Sequence, residues 1–156
     1  MLKLSLGVVI AIGILESLEI VWAVYVFGGK QINKRDYFLA AFFSLIAAVL
    51  VRFMPVLLGI NVIINIFILI LVSVKLIKLP VSKAVPCVLI TFVLKVVCET
   101  ITFFTLSKIL KADLRTIFVN ERMIFIYGLP SIFLFAGIVW LVSIRMERRQ
   151  ASNKIN

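Results

Sequence analysis

Five nearly continuous stretches of apolar residues, each long enough to cross a bilayer, account for most of this chain. A helix needs about 20 mainly apolar residues to span the hydrocarbon core of a membrane. Phe, Ile, Leu and Val dominate every stretch, without the period-two alternation of a membrane β-barrel strand. We therefore predict an all-α fold, a polytopic membrane helical bundle with spans at about residues 6–27, 37–54, 59–77, 85–106 and 123–144.

The composition disfavours several other classes of protein. Hydrophobic residues make up 63% of the 156 residues and charged residues 15%, against about 45–50% and about 25% in soluble domains. A soluble fold of this length cannot bury so much apolar surface. A soluble enzyme, a disordered tail and a nucleic-acid-binding domain are thus all disfavoured, and we predict one membrane domain over residues 1–144, in contact with the lipid bilayer, and a basic cytoplasmic tail over residues 145–156.

Basic residues between the spans predict the orientation, because cytoplasmic loops carry an excess of Lys and Arg. One side of the membrane holds ten of the seventeen Lys and Arg residues and the other side holds six, while Lys95 lies within a span. This bias places the N-terminus outside and the C-terminus in the cytoplasm of a multi-pass plasma-membrane protein. The richer side holds Lys30, Lys34, Arg35, Lys75, Lys78, Lys83, Arg145, Arg148, Arg149 and Lys154, and the poorer side Lys3, Arg52, Lys108, Lys111, Arg115 and Arg122.

The loop at residues 107–122 has apolar residues at helical spacing, with charged residues between them. This pattern predicts a short amphipathic helix at the outer interface. The alternative is a simple extension of the fourth helix.

No enzyme motif is present. The chain lacks histidine, and it has no G-x-S-x-G, Walker, G-x-G-x-x-G or H-E-x-x-H motif and no Cys/His cluster. We therefore expect no catalytic residues, no metal site and no cofactor.

Four ionisable residues lie near the middle of predicted spans, where such groups are rare and costly unless paired or hydrated. Glu16 and Glu19 are three residues apart and share a face of the first helix, and Lys95 and Glu99 are four apart on the fourth. Lys95 lies at a depth similar to that of the acids on the first helix, so we predict a contact between these two helices. The four residues are either an intramembrane charge network that joins helices or a ligand or proton site.

A second polar group lies toward the outer side. Arg52, Asn61, Asn65 and Glu99, with the nearby threonines of the fourth helix, are predicted to line an outward-facing ligand pocket. Alternatively, Arg52 extends to the lipid headgroups and the asparagines bond to neighbouring helices.

Two further features concern packing. Ala40, Ser44 and Ala48 recur every four residues, a spacing that allows close approach of helices within the chain or between chains. Pro130, after Gly128, is expected to kink the fifth helix.

Several of these features occur together in one known family. They are the acid-bearing segment Leu15-Glu16-Ser17-Leu18-Glu19, the Arg-x-x-Pro-x-x-x-Gly-Ile turn from Arg52 to Ile60, the amphipathic outer loop, Gly128-Leu129-Pro130 and the Arg-rich exit from Arg145 to Arg149. In this layout the chain resembles the N-terminal membrane sensor region of bacterial GHKL-type sensor histidine kinases, a class that includes peptide quorum sensors. The family's phosphoacceptor histidine and nucleotide-binding motif are absent here, so the chain corresponds at most to the sensor half.

The resemblance implies a homodimer, a peptide or small-molecule ligand from outside, and a cytoplasmic kinase or regulator as partner. Our leading hypothesis from the sequence is thus a signal-input (sensor or receptor-like) module that relays ligand binding through its last helix. The alternatives are a small secondary transporter or transporter subunit that uses the membrane acids, and a membrane scaffold protein.

Overall fold

Five α-helices joined by short connections form the described part of the protein. Its structure is a computed structural model, which describes the backbone of residues 6–53, 58–110 and 121–152, and their side chains except those of residues 6, 8, 9, 52, 53, 58, 59, 106, 107, 109, 110, 121–127 and 147–152. The helices are α1 Leu6–Phe27, α2 Lys34–Phe53, α3 Leu58–Lys75, α4 Val81–Leu110 and α5 Glu121–Ser152. The predicted all-α class is confirmed for the described residues.

Three of the helices are long and apolar enough to cross a membrane. They are the segments Ile10–Phe27 of α1, Val81–Thr105 of α4 and Gly128–Met146 of α5, and α3 contains a shorter apolar stretch, Ile60–Lys75. A membrane location therefore agrees with the structure.

Several predicted boundaries differ from the helices as they are observed, and two of the differences concern the outer loop and the tail. Helix α4 continues to Leu110, so residues 107–110 extend this helix; the remainder of the predicted outer amphipathic helix, up to residue 120, lies outside the described residues. Helix α5 contains Pro130 and continues to Ser152, past residue 144, where we placed the end of the last span. The kink at Pro130 stays a prediction.

The helices form a closed ring in which each neighbour in sequence is also a neighbour in space. Helix α1 packs against α2, α4 and α5, while α3 packs between α2 and α4. Because the connections between α1 and α4 are short, successive helices of this group run in opposite directions. Helix α1 therefore contacts three other helices, and a side chain on its inner face can reach both α4 and α5.

Polar and apolar side chains are distributed as in a protein that lies in lipid. Ser17, Glu19, Ser73, Thr91 and Lys95 are buried among the helices. Large apolar side chains point outward from all five helices, among them Ile14, Phe38, Phe42, Ile63, Phe67, Val93, Phe104, Phe133 and Trp140. An apolar surface of this extent is typical of membrane contact rather than of a soluble monomer.

The connection after α1 is built on glycine and is tied to the connection after α3. Gly29, at φ 62°, occupies the left-handed position that ends α1, with the Lys30 amide bonded to the Tyr25 carbonyl at 3.2 Å. The Lys30 ammonium donates to the carbonyls of Ile77 at 2.6 Å and Lys78 at 2.8 Å. These two connections therefore lie at the same end of the bundle.

Candidate functional site

The charged residues predicted to lie within the membrane form one cluster centred on Lys95. Its Nζ atom lies 3.3 Å from Oε2 of Glu19, 4.0 Å from Oε1 of Glu16 and 3.8 Å from Oε1 of Glu99. The contact with Glu19 is a hydrogen bond between side chains 76 residues apart in sequence. The structure therefore brings α1 and α4 together through the side chains that the sequence analysis singled out.

Helical spacing explains how the cluster is assembled. Glu16 and Glu19 are three residues apart on α1, and Lys95 and Glu99 are four apart on α4, so each pair faces in nearly one direction. The packing of α1 against α4 then places both pairs opposite each other. A long lysine side chain can reach all three carboxylates from this position.

The members of the cluster differ in their burial. The side chains of Lys95 and Glu19 are 7% and 5% exposed, whereas those of Glu16 and Glu99 are 25% and 50% exposed. Oε1 of Glu19 is buried and has no hydrogen bond to any described residue. The Lys95–Glu19 pair is therefore the buried part of the cluster, and the other two acids extend from it toward the surface.

Helix α5 also contacts the cluster, through an aromatic ring. The Lys95 ammonium lies 5.6 Å from the centroid of the Phe135 ring, within the range of a cation–π interaction. Phe135 is fully buried and packs with Ala23, Cys98 and Val139. Lys95 thus touches acids of α1 and α4 and the aromatic ring of α5 at once.

A cavity of about 260 Å³ adjoins the cluster between α1, α2, α3 and α4. Its polar wall is formed by Glu16, Ser17, Ser44, Asn65, Lys95 and Glu99. Its apolar wall is formed by Gly13, Ile20, Ala47, Ala48, Val62, Ile68, Leu69, Phe92 and Val96. The arrangement can bind a small molecule that has both a polar and an apolar part.

The predicted outer pocket is only partly reproduced. Asn65 and Glu99 line the cavity, but Asn61 does not, and the side chain of Arg52 lies outside the described residues. Oδ1 of Asn61 is buried without a hydrogen bond to a described residue. Among the nearby threonines, Thr100 is exposed and bonds to the Val96 carbonyl.

The small residues of α2 face the interior of the chain. Ala40 is fully buried in the core with residues of α1, and Ser44 and Ala48 line the cavity. On the opposite helix, a Cβ at Gly13 would lie 3.0 Å from the Leu45 side chain. This face therefore packs against the protein's own helices.

Sequence reasoning missed three contributors to the site. Phe135 and Phe92 are two of the twelve phenylalanines in the predicted apolar spans, and no sequence signal separates them from lipid-facing ones. Ser44 was noted only for its spacing from Ala40 and Ala48. A single hydroxyl within an apolar span is a weak signal for a cavity, and its Oγ atom has no hydrogen bond to a described residue.

Comparison with known proteins adds no relative: no family model, no curated protein and no solved structure matches this chain.

Proposed function

We propose that this protein is a signal-input module of the plasma membrane, with five membrane-crossing helices, an outer N-terminus and a cytoplasmic C-terminus. A ligand enters the cavity between α1 and α4, and α5 relays its binding to a cytoplasmic kinase or regulator. The observation that carries the proposal is the position of Lys95, which lines the cavity and also lies against Phe135 of α5. The resemblance to sensor histidine kinase membrane regions supports the same role.

The relay follows from the contacts of Lys95. A ligand that interacts with Glu16 or Glu99 competes with Lys95 for the carboxylates and changes the position of its ammonium. Because Phe135 is fully buried against this lysine, the change reaches α5 through direct packing. Toward the C-terminal end of α5, Ser143 and Met146 line a second cavity, of about 340 Å³, together with Gln31 of the first connection. That cavity gives the end of α5 room to move.

We expect the connections at Gln31 and at Ile77 to face the cytoplasm. They lie together at one end of the bundle, joined by Lys30, and they belong to the side richer in basic residues. In a variant with Cys87 and Cys98 replaced by alanine, Gln31→Cys should resist an impermeant thiol reagent in intact cells. Lys108→Cys, at the other end of the bundle, should react. The opposite pattern would mean that the orientation is reversed.

A second prediction tests the relay itself. Ser44→Leu should fill the cavity from α2, which packs against α1 and α3. A spin label at Arg145, an exposed position near the inner end of α5, should then change in mobility. Phe43→Leu, at a neighbouring outward-facing residue, is the matched control and should leave the label unchanged. An unchanged label in Ser44→Leu, and also in Ala48→Leu, would contradict a relay from the cavity to α5.

One observation favours a second candidate, a small proton- or cation-coupled transporter. The cluster has three carboxylates around one lysine, and Glu19 keeps one buried oxygen without a hydrogen bond to a described residue. Purified protein in liposomes distinguishes the two candidates. A transporter should carry protons or cations down an imposed gradient, and Glu19→Gln should abolish this flux, whereas a signal-input module should leave the liposomes as tight as empty ones.

A further inference from the structure

We infer that the cavity beside Lys95 binds a small organic ammonium ion with an apolar body. This inference deepens the proposed function, on which it rests, by naming the chemical class of the ligand. Three features of the cavity support it: the balance of charge, the aromatic and apolar surface, and the lack of a metal-binding group among the described residues.

The charges of the wall favour a cation. Glu16 and Glu99 line the cavity with Lys95, so carboxylates outnumber ammonium groups there by two to one. The carboxylate nearest to Lys95 is that of Glu19, at 3.3 Å, and Glu19 is not part of the wall. Glu16 and Glu99 also have other interactions, but a carboxylate accepts about four hydrogen bonds and can take a further donor. An anion would instead meet two carboxylates.

The apolar part of the wall favours an organic cation. Phe92 lines the cavity from the same helix as Lys95 and Glu99, with Ile20 and Leu69 from α1 and α3. An aromatic face attracts a cation and also packs against an apolar group. The hydroxyl of Ser44 and the amide of Asn65 supply polar groups on the α2 and α3 side.

An inorganic cation fits the wall less well. Calcium and magnesium require about six or more oxygen ligands in a regular arrangement. Among the described residues, no group of three or more His, Cys, Asp or Glu is placed to hold a metal ion. The oxygens of the wall lie beside a lysine ammonium and an extensive apolar surface, and this combination matches an ammonium group with an apolar body, which needs at most three acceptors.

Binding of benzylamine to the purified full-length protein in detergent tests the inference. Benzyl alcohol and benzoate have the same ring but are neutral and anionic. Benzylamine should raise the Tm of the protein in a saturable way, and neither of the other two compounds should do so. Binding of benzylamine to Glu16→Gln and Glu99→Gln should be at least about tenfold weaker, because each variant removes a charged hydrogen-bond acceptor. Asp36→Asn, at a half-buried acid outside the cavity, is the matched control and should bind as the wild type does.

Three results would overturn the inference. One is an equal effect of all three compounds, which indicates partition into the apolar phase. Another is saturable binding of sodium or potassium ions that excludes benzylamine. The third is undiminished benzylamine binding by both glutamine variants, with their folding verified by circular dichroism. The proposed function is tested separately: the label at Arg145 should still respond to Ser44→Leu if the protein is a signal-input module for a ligand of another class.

Discussion

Lys95→Leu should lower the free energy of unfolding of the detergent-solubilised protein by about 3 kcal/mol, the lower end of the cost of removing one partner from a buried ion pair. The substitution leaves the buried carboxylate of Glu19 without its counter-charge. The loss should be smaller at mildly acidic pH, where carboxylates deprived of their partner can take up protons. Thermal unfolding at two pH values measures both effects. Lys83→Leu, at an exposed lysine of the same helix, is the control and should change stability little.

Adding Glu19→Gln to Lys95→Leu should recover part of that loss. The coupling expected between polar groups of two membrane helices is about 0.6 to 2 kcal/mol. A double-mutant cycle isolates this coupling from the separate effects of each substitution. The cycle with Glu16→Gln should give a smaller coupling, because Glu16 is farther from Lys95 and more exposed. Strictly additive effects for both acids would mean that α1 and α4 do not interact through these charges.

Phe135→Ala should lower the free energy of unfolding by about 3 kcal/mol, mainly because it leaves a cavity in a closely packed part of the bundle. Phe135 is fully buried between α1, α4 and the rest of α5, and it lies beside the Lys95 ammonium. Phe133→Ala is a matched control on the same helix, since that side chain is 73% exposed. It should change the free energy of unfolding by less than about 0.5 kcal/mol. Equal losses in the two variants would indicate that α5 does not pack against α1 and α4 as described.

The fold class could be predicted from the sequence, whereas the ends of the helices were predicted less accurately. Apolar stretches indicate helices regardless of their partners, but local side chains decide where each helix begins. Helix α2 starts at Lys34 instead of 37: the Tyr37 amide donates to the Asn33 carbonyl at 2.9 Å, and the Asn33 side-chain amide donates to the Asp36 carboxylate at 2.9 Å across the first turn. Helix α4 starts at Val81 instead of 85 because the Pro80 carbonyl accepts hydrogen bonds from the amides of Lys83 and Ala84, both at 2.9 Å, which closes the first turn there.

The candidate site could be predicted only in its charged part. Glutamate and lysine within apolar spans are conspicuous, and helical spacing gives the face on which each lies. The cavity depends on how each helix is rotated about its axis and on which neighbours it meets. Packing fixes both, so nothing local in the sequence separates Asn65, which lines the cavity, from Asn61, which does not. For the same reason the buried Phe135 could not be told from the exposed Phe133.

The proposed coupling between the cavity beside Lys95 and α5 is tested most directly by a distance across the end of the bundle at which Lys30 joins two connections. Gln31 and Met146 both line the cavity of about 340 Å³ at that end, and Arg145 adjoins Met146. Spin labels at Gln31 and Arg145, in protein reconstituted into liposomes, should give a shifted distance distribution in Ser44→Leu relative to the wild type. Phe43→Leu should reproduce the wild-type distribution. Identical distance distributions in the wild type, Phe43→Leu and Ser44→Leu, although leucine fills the cavity in the last of these, would contradict a coupling between the cavity and α5.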